Sequence, residues 1–417
     1  MHHPPAPDSS RRLWLTLIAA FLGWMFDGME MGIFPIVARP ALQEMQLAGG
    51  IVGEQFVQQW MGRITALFLL GAAVGGLVFG WLGDRIGRVR AMTLSILTYS
   101  LFAGLSYFAQ APWQLGALRF LGALGMGGEW SLGVALVMEV WPADKRPLMA
   151  GLIGAAANVG YCLIAVIAMV FHVTQDSWRW VMLVGATPAL LTFFIRLFVP
   201  ESERWKAAVR DGPAQPVREI FGPVLRSRTF LAIAFASVAL IVTWGIVQWI
   251  PLWADQMTGG THPRAKAYAQ FWMSFGAVLG SLGAPLIGLR FGRRPVYFGL
   301  CLASLGACLL LFRGFSEYSL SFLAAVGLVG ACTASFYGWL PQYLPELFPT
   351  RVRATGQGLA FNFGRILAAG GAWQMGAVMG YFDNSYAKAG VTMALVYLIG
   401  MGLIWLAPET RGKSLPD

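Results

Sequence analysis

Charge is scarce in this sequence: Asp, Glu, Lys and Arg make up 12% of its 417 residues, against roughly 25% in an ordinary soluble domain. Cysteine is scarcer still. Cys162, Cys301, Cys308 and Cys332 stand singly in apolar runs, with no Cys-x-x-Cys pair and no His at ligand spacing, so neither a disulfide nor a zinc site is expected. The four histidines lie in the tail (His2, His3) or near the ends of apolar runs (His172, His262). That leaves no Ser/His/Asp or Cys/His constellation for nucleophilic catalysis, and neither an enzyme nor a cofactor is expected. A removable leader is missing as well. The segment before residue 13 is polar and proline-rich, and the apolar run after it passes Trp24 to Glu30 and Pro35 without a small-residue cleavage signature, which reads as a cytoplasmic tail.

What the chain has in abundance is apolar surface, 57% of its residues. Runs such as 64–82, 94–109 and 230–252 carry almost no charge and approach the ~20 residues that cross a bilayer as a helix. A net charge of +10 would suggest nucleic acid in a soluble chain. Here the positions of the charges matter more, and the expected partners are the lipid bilayer, a small solute and a proton. Charged and proline-containing breaks delimit twelve spans, at about 14–37, 60–82, 90–109, 113–138, 147–171, 179–199, 229–252, 267–289, 295–312, 318–343, 355–380 and 387–407. The tails and the even-to-odd loops hold 20 Lys and Arg, whereas the opposite loops hold six: Arg39, Arg179, Arg264, Lys266, Arg313 and Lys388. The positive-inside rule then puts both termini in the cytoplasm.

A repeat organises the whole chain. Gly83-Asp84-Arg85-Ile86-Gly87-Arg88 recurs 205 residues on as Gly288-Leu289-Arg290-Phe291-Gly292-Arg293. Glu139-Val140-Trp141-Pro142 recurs after 207 residues as Glu346-Leu347-Phe348-Pro349, and Pro200-Glu201-Ser202 after 208 as Pro408-Glu409-Thr410. The expected organisation is a tail (1–13), a six-helix half (14–199), a cytoplasmic linker (200–228), a second six-helix half (229–407) and a tail (408–417).

Gly80-Trp81-Leu82-Gly83-Asp84-Arg85-Ile86-Gly87-Arg88 resembles the Gly-x-x-x-Asp-Arg-x-Gly-Arg-Arg loop signature of the major facilitator superfamily. The resemblance implies an all-α membrane protein, a monomer with twelve transmembrane helices in two pseudo-symmetric six-helix bundles that rock about a central cavity. Pro200-Glu201-Ser202-Glu203-Arg204-Trp205 and Pro408-Glu409-Thr410-Arg411-Gly412-Lys413 are similar to the sugar-porter and metabolite:H+ symporter branches. Span 7, with Thr243-Trp244-Gly245-Ile246-Val247-Gln248-Trp249, lacks the paired glutamines of sugar porters, which demotes hexose transport. Asp27-Gly28-Met29-Glu30 is close to the Asp-Gly-x-Asp of aromatic-acid symporters, with Glu in the last place, and Gly127-Gly128-Glu129-Trp130 is similar to a motif of aromatic-acid and sialate symporters. Span 5 lacks the Gly-Pro pattern of drug antiporters.

Charges inside spans are costly in hydrocarbon, so each is a functional candidate. Asp27 and Glu30 share one helical face, and like charges that close favour taking up a proton. Glu30 takes the place of the Asp in the sugar-porter Gly-Tyr-Asp motif, which that family couples to an Arg on helix 4, matched here by Arg119. The expectation is a Glu30–Arg119 switch tuned by Asp27, or else a fixed ion pair pinning helix 1 to helix 4. Glu129 is a second protonation site or the partner of an arginine. Arg365 offers a planar donor fork suited to a carboxylate; the alternative is an internal partner such as Glu129. Asn158 and Asn362, 204 residues apart, read as pseudo-symmetric polar groups flanking the cavity or as helix-to-helix bonds. Gln248, Tyr337, Gln342 and Gln374 are candidates to orient substrate, and Trp24, Trp244, Trp249 and Trp339 to wall the pocket or join the aromatic belts. A cytoplasmic gate is expected from Asp84, Arg85, Arg88, Glu139 and Arg146, repeated by Arg290, Arg293 and Glu346, with Leu289 breaking the match to Asp84. Gly71, Gly75, Gly76 and Gly80 read as close helix contacts.

The resulting expectation is a proton-coupled symporter of a small organic carboxylate in a bacterial-type inner membrane. A sugar or polyol symporter and a non-transporting sensor on the same fold are the alternatives.

Overall fold

A chain in lipid has to satisfy its backbone N–H and C=O groups within itself, so long apolar runs become helices. The computed structural model describes residues 7–49, 54–171, 173–210, 216–259, 261–262, 264–373, 381–382 and 385–416, and no strand occurs among them. The helices are α1 (Pro7–Gly49), α2 (Glu54–Ile86), α3 (Arg88–Leu105), α4 (Pro112–Val140), α5 (Arg146–Val170), α6 (Trp178–Val184), α7 (Ala189–Phe198), α8 (Glu203–Arg210), α9 (Pro216–Ile220), α10 (Arg226–Gly245), α11 (Ile250–Thr258), α12 (Ala265–Phe291), α13 (Arg293–Gly314), α14 (Leu320–Tyr343), α15 (Arg353–Trp373), α16 (Tyr386–Ala394) and α17 (Val396–Leu403). Among the described residues, ten stretches are long and apolar enough to cross a membrane. Of the twelve expected spans, the sixth is divided between α6 and α7 by the turn at 185–188, and the eleventh, α15, carries Gln357, Asn362 and Arg365.

Several spans depart from the sequence expectation. α1 and α2 run well past 14–37 and 60–82 at both ends, because polar helix continues where the lipid stops. Span 7 bends: α10 ends at Gly245, Ile246 leaves helical geometry (φ −145°), and a short 3-10 turn leads into α11, where Pro251 sits in the first turn. Proline suits that position because the N–H it lacks would have no intrahelical partner there.

Glycine fixes the helix spacing. A methyl on Gly75 would lie 1.9 Å from the Leu124 carbonyl, and one on Gly71 2.4 Å from that of Phe120, so this face of α2 presses on α4. Gly76 and Gly80 face the other way, against Asn362 and Ala354 of α15. Gly276 and Gly280 repeat the first arrangement between α12 and α14. Outside, Leu101, Leu190, Leu197, Leu310 and Leu406 are exposed, as lipid-facing side chains are, and Trp113, Trp180 and Trp405 join them.

The sequence repeat has a local physical basis. The α2–α3 and α12–α13 corners each turn on a glycine in the left-handed region, Gly87 (φ +107°) and Gly292 (φ +90°), where L side chains are strained. Glu201 then accepts from the backbone N–H groups of Arg88 and Val89, and Glu409 from those of Arg293 and Arg294, so each caps a helix start. The Pro-Glu-Ser and Pro-Glu-Thr motifs recur because both corners need that cap. Burial raises both carboxyls. At Glu201 burial prevails and the group sits above its ordinary value, whereas at the more exposed Glu409 the backbone bonds outweigh it and the group sits below.

Candidate functional site

Two cavities lie end to end along the seam between the halves. The inner one, about 60 Å³, is lined by Trp24, Asn158, Tyr161, Thr243, Trp244, Gln248, Tyr337, Phe361 and Arg365, among others. The outer chamber, about 650 Å³, is bounded by the second half of α1, the start of α2, the end of α5, the bend of span 7 and the start of α12. Met31, Tyr161, Trp244, Gln248 and Gln270 wall both. The separation is thin, consisting of a 3.4 Å contact from Gln248 Nε2 to the Tyr161 hydroxyl and the neighbouring Phe68 and Trp244 rings.

Arg365 is almost fully buried in the inner cavity. One Nη donates to Asn362 Oδ1, its guanidinium lies 5.1 Å from the Phe361 ring centre, and its Nε has no hydrogen-bond partner. Glu129 does not pair with it in an ion pair. The Glu129 carboxylate occupies the space that a side chain on Gly23 would need, and both its oxygens lack partners, as do both of Asp27. Burying carboxylates this way is expensive unless they are neutralised. Glu30 and Arg119 form a buried ion pair, and Arg119 lies between the Phe34 and Phe68 rings on the wall of the outer chamber.

Asn158, Gln248, Trp244 and Tyr337 line the inner cavity as expected of substrate-facing groups, and so does Trp24; Trp249 lines the outer chamber. Asn362 is engaged elsewhere: its Nδ2 donates to the Gly127 carbonyl (3.1 Å) and to that of Gly358 (2.9 Å), which ties α15 to α4. Gln342 is buried against Gly288, away from both cavities. Trp339 is packed among Phe235, Tyr297 and Tyr343. Gln374 lies outside the described residues. Tyr161, Thr243, Gln270 and Phe361 were not legible as site residues, because a hydroxyl or ring in an apolar run carries no signal until a partner helix is placed beside it.

At the face of the α2–α3 corner the seam is closed. Arg88 bonds the Gly83 carbonyl, Asp84 (2.6 Å), Glu139 (3.1 Å) and, on the other half, the Thr350 carbonyl (2.9 Å). Arg353 meets Glu139 at 3.3 Å, and Thr355 donates to Asp84 through both its N–H and its hydroxyl. The second copy repeats the inner part: Arg293 bonds the Gly288 carbonyl and Glu346 (2.6 Å), and Thr410 donates to Glu346 as Ser202 does to Glu139. Among the described residues the Arg293 and Glu346 bonds stay within the second half, and Leu289, exposed where Asp84 is buried, has no acceptor to offer across the seam. Arg85 lies over the Trp81 ring, Arg290 beside Phe291, and Arg146 donates to the Trp141 carbonyl.

The sequence profile of the Major Facilitator Superfamily matches residues 13–372. The probable 4-methylmuconolactone transporter of Cupriavidus pinatubonensis is 30% identical, over 99% of this chain and 93% of that one. The cis,cis-muconate transport protein of Acinetobacter baylyi is 28% identical, over 91% of this chain and 93% of its own. Among solved structures, the proton:xylose symporter XylE bound to 6-bromo-6-deoxy-D-glucose superposes with a TM-score of 0.79 at 18% identity, covering 98% of each chain.

Proposed function

Because this chain belongs to the Major Facilitator Superfamily and is a multi-pass membrane transporter, not an enzyme, we propose that it imports a small organic carboxylate together with a proton by alternating access. The observation that carries this reading is the Arg365 guanidinium. It is buried in an aromatic-walled cavity, with a free Nε and no ion pair among the described residues. A buried guanidinium that no carboxylate contacts directly is costly, and an anionic solute supplies that contact. The fork geometry of arginine matches a carboxylate and the rings of Trp24, Tyr161, Trp244 and Phe361 match an unsaturated or aromatic body. The muconolactone and muconate transporters it resembles handle solutes of that kind. The inner cavity alone holds only a few waters, so the body of the solute extends past Tyr161 and Gln248 into the outer chamber.

Glu30 is the proton carrier in this reading. Its ion pair with Arg119 sits on the chamber wall, where protonation releases the arginine, and Asp27, one helical turn away, adjusts its proton affinity. Asp84, Arg88, Glu139 and Arg353 form the cytoplasmic gate of the outward-facing state. The two halves span 14–199 and 229–407, with both tails in the cytoplasm, which the 20-to-six distribution of basic residues supports. The test is uptake by proteoliposomes under an imposed inward proton gradient. Saturable uptake competed by carboxylates and not by hexoses supports the proposal, and the reverse pattern refutes it.

A further inference from the structure

The Asn362 side chain belongs to the second half and is seated in the first. A Cβ on Gly76 of α2 would lie 1.9 Å from Asn362 Nδ2, and one on Gly127 of α4 would lie 1.9 Å from the Ala72 carbonyl, so two glycines let α2 and α4 close around a notch that admits the amide. Within the notch every polar group of that side chain is used. Nδ2 donates to the Gly127 carbonyl (3.1 Å) and to the Gly358 carbonyl one turn back on α15 (2.9 Å), and Oδ1 accepts from an Arg365 Nη. With both donors committed to carbonyls, the amide can offer the guanidinium only its oxygen, which fixes its direction. The guanidinium has a second support in the Phe361 ring, 5.1 Å away, and that ring stacks at 4.0 Å on Trp130 of α4. Both supports of this second-half cation therefore rest on α4 of the first half.

The sequence suggests Asn362 as a substrate ligand, and the geometry gives it another part. We infer that Asn362 is a positioning residue: it takes one Nη of Arg365, leaves the unpartnered Nε edge for a carboxylate in the inner cavity, and does so only while the seam is closed around it. The inference rests on the carboxylate reading above, in which Arg365 is the anion ligand, and adds what makes that arginine selective. A fork already held in place binds more tightly than a free one, because less ordering remains to be done when the anion arrives. Asp27 supplies the competitor. It is fully buried and close enough to act electrostatically on Arg365, with no hydrogen bond between them. A guanidinium released by Asn362 can turn to that internal carboxyl, which then displaces the solute.

The probes are an acid and an amide of the same ring, benzoate with benzamide and nicotinate with nicotinamide, together with cis,cis-muconate, titrated calorimetrically into the purified full-length protein. Asn362→Ala is expected to weaken acid binding about tenfold, the lower end of what a hydrogen bond to a charged group contributes, and to leave amide binding unchanged. Where the amides bind too weakly to titrate, proteoliposome uptake decides, with the change falling on Km and not on kcat. Gly76→Ala, whose methyl takes the place of the Asn362 amide, is expected to reproduce the loss of selectivity from the opposite half. In Asn362→Asp a carboxylate three residues before Arg365 shares its helical face and takes the guanidinium, so acid binding disappears. This near-isosteric variant carries the test if Asn362→Ala does not insert. Wild-type acid affinity in Asn362→Ala or Asn362→Asp, an equal loss for acid and amide, or a fall in kcat overturns the positioning role and leaves Arg365 as the anion ligand. Wild-type selectivity in Gly76→Ala overturns the anchor across the seam. Binding of none of the three acids by the wild type overturns the carboxylate reading as well.

Discussion

Arg353 of α15 reaches Glu139 of α4 at 3.3 Å, with both side chains fully buried and one carboxylate oxygen shared with Arg88. This contact and the bonds from Thr355 to Asp84 join the two halves at one face, and the pseudo-symmetric Arg293–Glu346 pair stays inside the second half. The repeat is therefore symmetric in how it builds each corner and asymmetric in what crosses the seam.

That asymmetry predicts unequal mutants. Removing one partner of a buried ion pair costs about 3–5 kcal/mol, so Glu139→Gln should shift the transporter toward a cytoplasm-open state. Glu346→Gln should lower stability without changing orientation. The readout is the alkylation rate of a cysteine placed at Ser131, which lies against Gly358 across the seam, in a background lacking the four native cysteines. Faster labelling in both variants, or in neither, would contradict the assignment.

Gly75 tests the packing. A side chain there collides with the Leu124 carbonyl at 1.9 Å, whereas Gly283 has nothing within 4 Å. Overpacking of this kind costs about 1–3 kcal/mol, so Gly75→Val should melt several degrees lower in detergent and Gly283→Ala should match the wild type.

Arg365 tests the substrate site. Losing a hydrogen bond to a charged group costs about 1.5–3 kcal/mol, so Arg365→Ala should weaken carboxylate affinity by about 10- to 150-fold. Arg365→Lys keeps the charge without the fork and should fall between the two. Isothermal titration of the purified variants measures this, and wild-type affinity in Arg365→Ala would remove the assignment.

Glu30→Gln separates coupling from translocation. The variant cannot exchange a proton at that position, so accumulation driven by a pH gradient should vanish, whereas counterflow of preloaded solute should persist. Loss of both, measured side by side in proteoliposomes, would mark the ion pair as a structural pin between α1 and α4.

Much of this was legible in the sequence. Matches at nearly constant spacing (Gly83 with Gly288, Glu139 with Glu346, Glu201 with Glu409) gave the duplication, because each pair serves the same corner. Lone charges in apolar runs marked Glu30, Arg119, Glu129 and Arg365, since hydrocarbon makes such residues rare. The sequence was silent where the answer depends on a partner helix. Asn362 looks like a cavity residue until the Gly127 carbonyl is found 3.1 Å away. Arg293 looks like a gate residue until Leu289 proves unable to take Asp84's part. Helix breaks were hidden too, because the sixth span reads as one apolar run although the chain turns at 185–188.

The central claim is that the anion and the proton travel together, and proton flux measures it most directly. Proteoliposomes containing a trapped pH indicator are given a carboxylate with no gradient imposed. The lumen should acidify with wild-type protein, and neither Arg365→Ala nor Glu30→Gln should produce the signal. Carboxylate entry into wild-type vesicles without acidification would contradict the account.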